Sequence, residues 1–272
     1  MKPRRPLPRE SEASRAVLVE VLQVLGAYRE ALCVIGGLVP ELLLPARGHV
    51  GSLDVDLAFD ARRVQPSAYA SIRRCLLAAG YTQPAAGVGV FLRSVPGART
   101  VTVKVDLVAC EDRAASPMIP ILVQDLRLGR LTGMDLAFDG SVTTTVRGRM
   151  PDGAENAVSA RIVGLPAFLC LKAFALAERR KEKDAYDIAF VLRHCAEGPA
   201  ELGRAARRIA RLERGAEALS ILAQKFETIE SLGPRWNAEF CGAIGDDPAA
   251  AARDAYERAQ VFLRAASEPE AK

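Results

Sequence analysis

The chain has 272 residues, 50% hydrophobic and 26% charged, so it can bury a sizeable core and is not a disordered polyelectrolyte. Its net charge of +4 suits a polyanionic partner without requiring one. Six cysteines include no CxxC pair and only two histidines accompany them, so a structural zinc site is not expected; most of the thiols lie in apolar runs, which suits a reducing compartment.

The basic start, Met1 to Pro6, leads into no long apolar core and does not read as a secretory signal. No apolar run is long enough to span a bilayer, so no membrane contact and a cytoplasmic location are expected. Residues 12–29 read as a well-buried helix. Leu32-Cys33-Val34-Ile35 reads as a short strand ending at Gly36-Gly37, and Leu38 to Leu44 as a short helix with Pro40 in its first turn. Pro45 to His49 is a loop. Leu53 to Phe59 alternates, with Leu53, Val55 and Leu57 on one face and Asp54, Asp56 and Ala58 on the other.

Pro66 to Ala79 reads as a helix stopped by Gly80. Val88 to Arg93 and Thr100 to Ala109 read as strands around a Pro96-Gly97 turn. Residues 118–163 suggest further short strands. From Leu165 to residue 266 helical periods dominate, interrupted at Gly198-Pro199, Gly233-Pro234 and Gly245 to Pro248, and the end looks frayed. The expected organisation is an α/β half, residues 1–164, and an all-helical half, residues 165–272.

Asp54 and Asp56 sit two apart on a strand, so both carboxylates reach one face and one hard cation such as Mg²⁺. Asp106 lies in a second strand between Val105 and Leu107, where an acid is costly unless paired or metal-bound. If the strands are neighbours, the three acids converge and suit phosphoryl transfer. A bare Asp-x-Asp is usually surface decoration or a loop cap. Gly36-Gly37, between a strand and a helix start, exposes backbone N–H groups that suit a phosphate, or is a plain tight turn. Ser52 either donates to a phosphate or caps its loop.

In the helical half, Lys172 and Arg179 are seven apart on one face, and Asp184 and Asp187 are three apart on another. Solvated salt bridges are the ordinary explanation. Lys172 does not fit it, because it sits inside the apolar run Phe168 to Phe174. Arg204 to Arg214 form a basic helix face that suits RNA or solvent.

The run Val34-Ile35-Gly36-Gly37-Leu38-Val39-Pro40-Glu41, then His49-Val50-Gly51-Ser52-Leu53-Asp54-Val55-Asp56-Leu57, resembles the AbiEii/AbiGii nucleotidyltransferase-like toxins. So do Lys104-Val105-Asp106-Leu107, the segment from Leu171-Lys172 to Arg179, and Lys181-Glu182-Lys183-Asp184-Ala185-Tyr186-Asp187-Ile188. The resemblance covers residues 31–195 in one order. It implies an α+β fold, a polymerase-β-like nucleotidyltransferase mixed sheet with helices, followed by helices that close the cleft. It also implies the toxin of a toxin–antitoxin or phage-defence pair, with a cognate antitoxin as partner, that moves NMP from an NTP to tRNA.

By the same resemblance Gly36, Gly37 and Ser52 hold the triphosphate. Asp54 and Asp56 hold Mg²⁺ or Mn²⁺; the strand reading adds Asp106 as third acid and, ahead of Asp184, as the group that takes or orients the acceptor proton. Lys172 contacts triphosphate oxygens, and Lys183, Asp184 and Asp187 complete the site. Two departures stand out: the seventeen positions from Gly37 to Asp54 are a long gap, and Gly37 stands where many nucleotidyltransferases have serine. Two rivals follow. One is transfer to a small molecule such as an aminoglycoside, which predicts an acidic acceptor pocket. The other is a non-catalytic fold that binds NTP or a protein partner.

Overall fold

The structure, a computed structural model, describes residues 8–64, 71–110 and 120–268. Among these, residues 8–42 and 50–163 form one unit, and residues 43–49 and 164–268 form a second. The expected basic N-terminal stretch, residues 66–70 of the expected third helix and most of the expected tail lie outside the described residues.

The first unit opens with α1 (Pro8–Val24). Its apolar residues are not confined to one stripe. Val17, Leu18, Val19 and Val21 are all fully buried, so protein surrounds the helix on most sides. Its buried acid, Glu20, takes a two-point ion pair from Arg93 at 2.7 Å for both contacts, which offsets the cost of its desolvation. The helix ends at Val24, short of the expected residue 29. A six-residue 3₁₀ turn, Gly26–Ala31, takes over where Gly26 weakens the helical preference.

Then come β1 (Leu32–Ile35), α2 (Val39–Leu43), β2 (Asp54–Phe59) and α3 (Ile72–Ala78). The Ser71 hydroxyl caps α3 by accepting the Arg74 N–H. The strands β3 (Val90–Val95), β4 (Val101–Cys110), β5 (Ile121–Val123), β6 (Leu126–Leu131), β7 (Val142–Arg149) and β8 (Glu155–Ile162) complete the unit. They form a mixed sheet in the order β5-β6-β4-β2-β1-β8-β7, with β3 paired to β4. The pairings β2–β4, β4–β6 and β1–β8 are parallel, and the rest are antiparallel. The expected α+β class is what the chain adopts.

The second unit is helical: α4 (Leu165–Glu178), α5 (Glu182–His194), α6 (Gly198–Ala210), α7 (Glu213–Lys225), α8 (Leu232–Ala243) and α9 (Pro248–Ser267). Two of the three expected breaks open helices, at Gly198 and Pro248. The third, Gly233-Pro234, lies in the first turn of α8, directly after the non-helical residues 226–231, where the N–H that proline lacks has no helical partner. No helix among the described residues is long and apolar enough to cross a membrane. All six cysteines are free, and burial pushes the Cys33 and Cys170 thiols up to about 12, so they pack rather than react.

Candidate active site

The parallel register of β2 and β4 sets Asp54 beside Lys104 and Asp56 beside Asp106. Side chains two apart on a strand share a face, so these four project from one face as a two-by-two array. Val55, Leu57, Val103, Val105 and Leu107, at the alternate positions, are buried on the other face. The apolar alternation therefore fixes which way the acids point.

The Lys104 ammonium contacts Asp106 Oδ2 at 2.5 Å and lies 4.0 Å from Asp54 Oδ2. Burial works against that charge. The hydrogen bond to Asp106 and the charges of Asp54, Asp106 and Asp56 outweigh it and hold the Lys104 pKa above its ordinary value. Asp106 Oδ1 is buried and has no hydrogen-bond partner among the described residues. Among those residues no three His, Cys, Asp or Glu side chains already close into a metal-ligand set, so the three acids share a face without meeting at one point.

Gly36 follows β1 at φ +72°, in the left-handed region. A Cβ there would fall 1.9 Å from Asp56 Oδ2, so only glycine lets the turn and this carboxylate coexist. Gly37 continues the same 3₁₀ turn and is buried. The Ser52 hydroxyl accepts the Asp54 N–H at 3.3 Å and so caps the start of the strand.

The helical unit holds a second constellation. Lys172, only 7% exposed, places Nζ 2.7 Å from Asp184 Oδ1 and 2.6 Å from Asp187 Oδ2. Arg179 grips Asp184 with Nε and Nη2 at 2.8 and 3.0 Å. Lys183 reaches Asp187 Oδ1 at 2.8 Å. His49, from the short stretch 43–49, places Nε2 3.0 Å from the same oxygen. Its ring stacks on Tyr186 and meets Phe190 edge-on, with centroids 5.5 and 4.7 Å away. Burial opposes both carboxylates, but Lys172, with Arg179 at Asp184 and Lys183 at Asp187, outweighs it and holds both below the usual range. For Lys172 the same contest raises the pKa, with Asp187 and Asp184 overcoming burial. Lys183 goes the other way, lowered by burial, with Lys172 adding repulsion.

The family model described as nucleotidyl transferase AbiEii toxin, type IV toxin–antitoxin system, matches residues 28–258. The chain belongs to this family. A crystal structure from H. pylori, described as that of a candidate nucleotidyltransferase, is similar over 96% of this chain and 97% of its own, at 11% identity and a TM-score of 0.46. No match was found among curated proteins.

Membership in the AbiEii family makes the carried-over residues worth locating one by one. Asp54, Asp56 and Asp106 come together on the sheet, with Gly36 against Asp56 and Ser52 against Asp54. Lys172, Lys183, Asp184 and Asp187 come together in the helical unit. Sequence reasoning assigned no role to Lys104 or His49. The signal for Lys104 was its place two residues before Asp106 on an alternating strand. His49 carried no signal toward Asp187, which is 138 residues away.

His49 gives an expected pH effect. Burial favours its neutral form and outweighs the Asp187 hydrogen bond, so its folded pKa lies below 6.5. A group depressed in this way contributes fully above its unfolded pKa and loses that contribution as pH falls through 6.5 toward the folded value. His194 is pushed the same way by burial and by Arg193 and Arg47. Thermal melts should therefore drop between pH 7.5 and the folded values, well before the carboxylates protonate. His49→Gln with His194→Gln should flatten that window. Equal slopes in the parent and the double variant would contradict the assignment.

Proposed function

We propose that this AbiEii-family chain is a divalent-metal-dependent nucleotidyltransferase that moves NMP from an NTP to an RNA acceptor of the tRNA class. The observation that carries the reading is the placement of Asp54, Asp56 and Asp106 on one face of two parallel strands. These residues fit Mg²⁺ or Mn²⁺ on two counts: the oxygens are hard donors, and Asp106 Oδ1 is buried with no partner among the described residues. When bound, the cation would supply charge neutralisation at the phosphates.

The protein's own groups do the rest. The Gly36-Gly37 turn offers backbone N–H groups to the triphosphate. The acceptor oxygen bonds to the α-phosphorus, the bond to the β-phosphate oxygen breaks, and pyrophosphate leaves. Asp106 takes the acceptor proton. In place of the triphosphate contact that the resemblance implies for Lys172, and the site-completing part it implies for Lys183, Asp184 and Asp187, we assign the buried network a supporting role. Its ammonium groups are engaged by Asp184 and Asp187, which fix α4 against α5.

The acceptor surface we assign is a groove of about 580 Å³ along α1 and the β3–β4 and β7–β8 turns, on the face of the sheet opposite the acids, so that a bound RNA must pass the β3–β4 end to present its terminus to them. Arg9, Arg15, Arg99 and Arg149 line it with one acid, Glu12. Arg15 is fixed there by donating to the Arg147 carbonyl at 3.0 Å. In the groove Arg15 and Arg149 are paired at long range, with Glu41 at 3.6 Å and Glu155 at 3.8 Å, whereas the alternative face at residues 204–214 is neutralised at closer range. Arg204 and Arg214 pair with Glu201 and Glu217, and Arg207 with Glu268 and the Ala265 carbonyl. A basic groove favours a polyanion over an aminoglycoside-like acceptor, which needs an acidic pocket. A cognate antitoxin is the proposed protein partner.

The test is incubation of the protein with labelled NTP, Mg²⁺ and total tRNA. Label on tRNA is expected, and NTP binding with no transfer would overturn the reading. Arg99→Ala and Arg149→Ala should each lower the slope of log affinity for tRNA against log salt by about one unit. An unchanged slope would move the acceptor elsewhere.

A further inference from the structure

The acidic face contains its own cation. Lys104 stands beside Asp54 in the strand register, two positions from Asp106, and its ammonium touches the Asp106 carboxylate. Its side chain is 40% exposed, so its tip can reach solvent on a flexible four-carbon stem. Three carboxylates crowded on one face repel one another, and one ammonium among them removes much of that cost. A divalent ion drawn to the same oxygens meets that ammonium first.

We propose that Lys104 is the resident counter-ion of the acidic face: a positioning residue that holds Asp54 and Asp106 together without metal and yields them when a divalent cation binds. This rests on reading Asp54 and Asp56 as the metal-holding pair. Lys104 has two opposed effects. It steadies the metal-free protein by pairing with acids that would otherwise repel. It also weakens metal binding, because the incoming ion must displace or share space with a like charge at close range. A purely structural lysine would show only the first effect.

The experiment is calorimetric titration of the full chain with Mn²⁺ alone, beside thermal melts of the metal-free protein. Lys104→Met should bind Mn²⁺ about tenfold tighter than the parent, the size expected for one partly screened unit charge at contact distance. Its metal-free form should melt lower, and added Mn²⁺ should restore the melt by mass action. Lys104→Arg should return the affinity toward that of the parent. Lys104→Gln provides a second neutral substitution should the methionine variant melt too low to titrate. Affinity in both neutral variants equal to or weaker than the parent's, with binding still lost in Asp54→Asn/Asp56→Asn, would overturn the role of Lys104 alone. Binding that survives Asp54→Asn/Asp56→Asn would overturn the metal-site reading, and the counter-ion role with it.

Discussion

Replacing Asp54 or Asp56 with alanine is expected to lower nucleotidyl transfer about a hundredfold or more, roughly 3 kcal/mol or more of transition-state stabilisation. Each variant removes one of the three hard oxygen donors that a cation would share, and Asp106 does not make up the loss. Asp106 is already engaged by Lys104. The expected stability change runs the other way. Both carboxylates are only half-buried, and removing one relieves repulsion among three acids on one face. The melting temperature should therefore hold or rise while transfer collapses. Single-turnover transfer and thermal melts on the same preparations separate the two quantities. Transfer within a few-fold of the parent would end the metal reading. A collapse of both quantities together would make the acids structural.

The second large effect lies in the helical unit. Asp187→Ala is expected to cost about 3–5 kcal/mol of stability, the range for breaking a buried ion pair from one side. The carboxylate receives Lys172, Lys183 and His49 together, and its side chain is fully buried. Without it Lys172 keeps one carboxylate, Asp184, which Arg179 already grips. Lys172→Met should cost less, because it removes the buried cation with its desolvation demand and leaves Asp187 held by Lys183 and His49. It also leaves Asp184 held by Arg179. The asymmetry is the diagnostic: denaturant unfolding of both variants should rank Asp187→Ala well below Lys172→Met. Equal losses would mean that the site tolerates an unpaired charge, through water or movement.

The strand alternation around Asp54, Asp56 and Asp106 was legible because it follows from burial of one face, and burial of one face leaves a period of two in the sequence. The β2–β4 register was not legible, since pairing between strands some fifty positions apart leaves no local mark. That register alone makes Lys104 a neighbour of Asp54. Lys172 announced itself by standing in an apolar run, and Asp184 and Asp187 supply its reason. Gly233-Pro234 marked the break between α7 and α8 because a proline in the first turn opens a helix without losing a hydrogen bond. The arginines at 204–214 left RNA and solvent both open, because their spacing shows a basic face while their acidic partners at 217 and 268 lie outside the window.

The stretch 43–49 gives the chain a genetic property. It belongs with the helices of the second unit although α2 and β2 of the first unit flank it, and it delivers His49 to Asp187. A recombination event at the start of α4 would pass on the helices and leave that histidine behind. Exchange of helical halves among relatives therefore requires two crossovers or a matched loop. The two halves of such a gene should be inherited as one block, with residue 49 covarying with residue 187 across a gap of 138 positions.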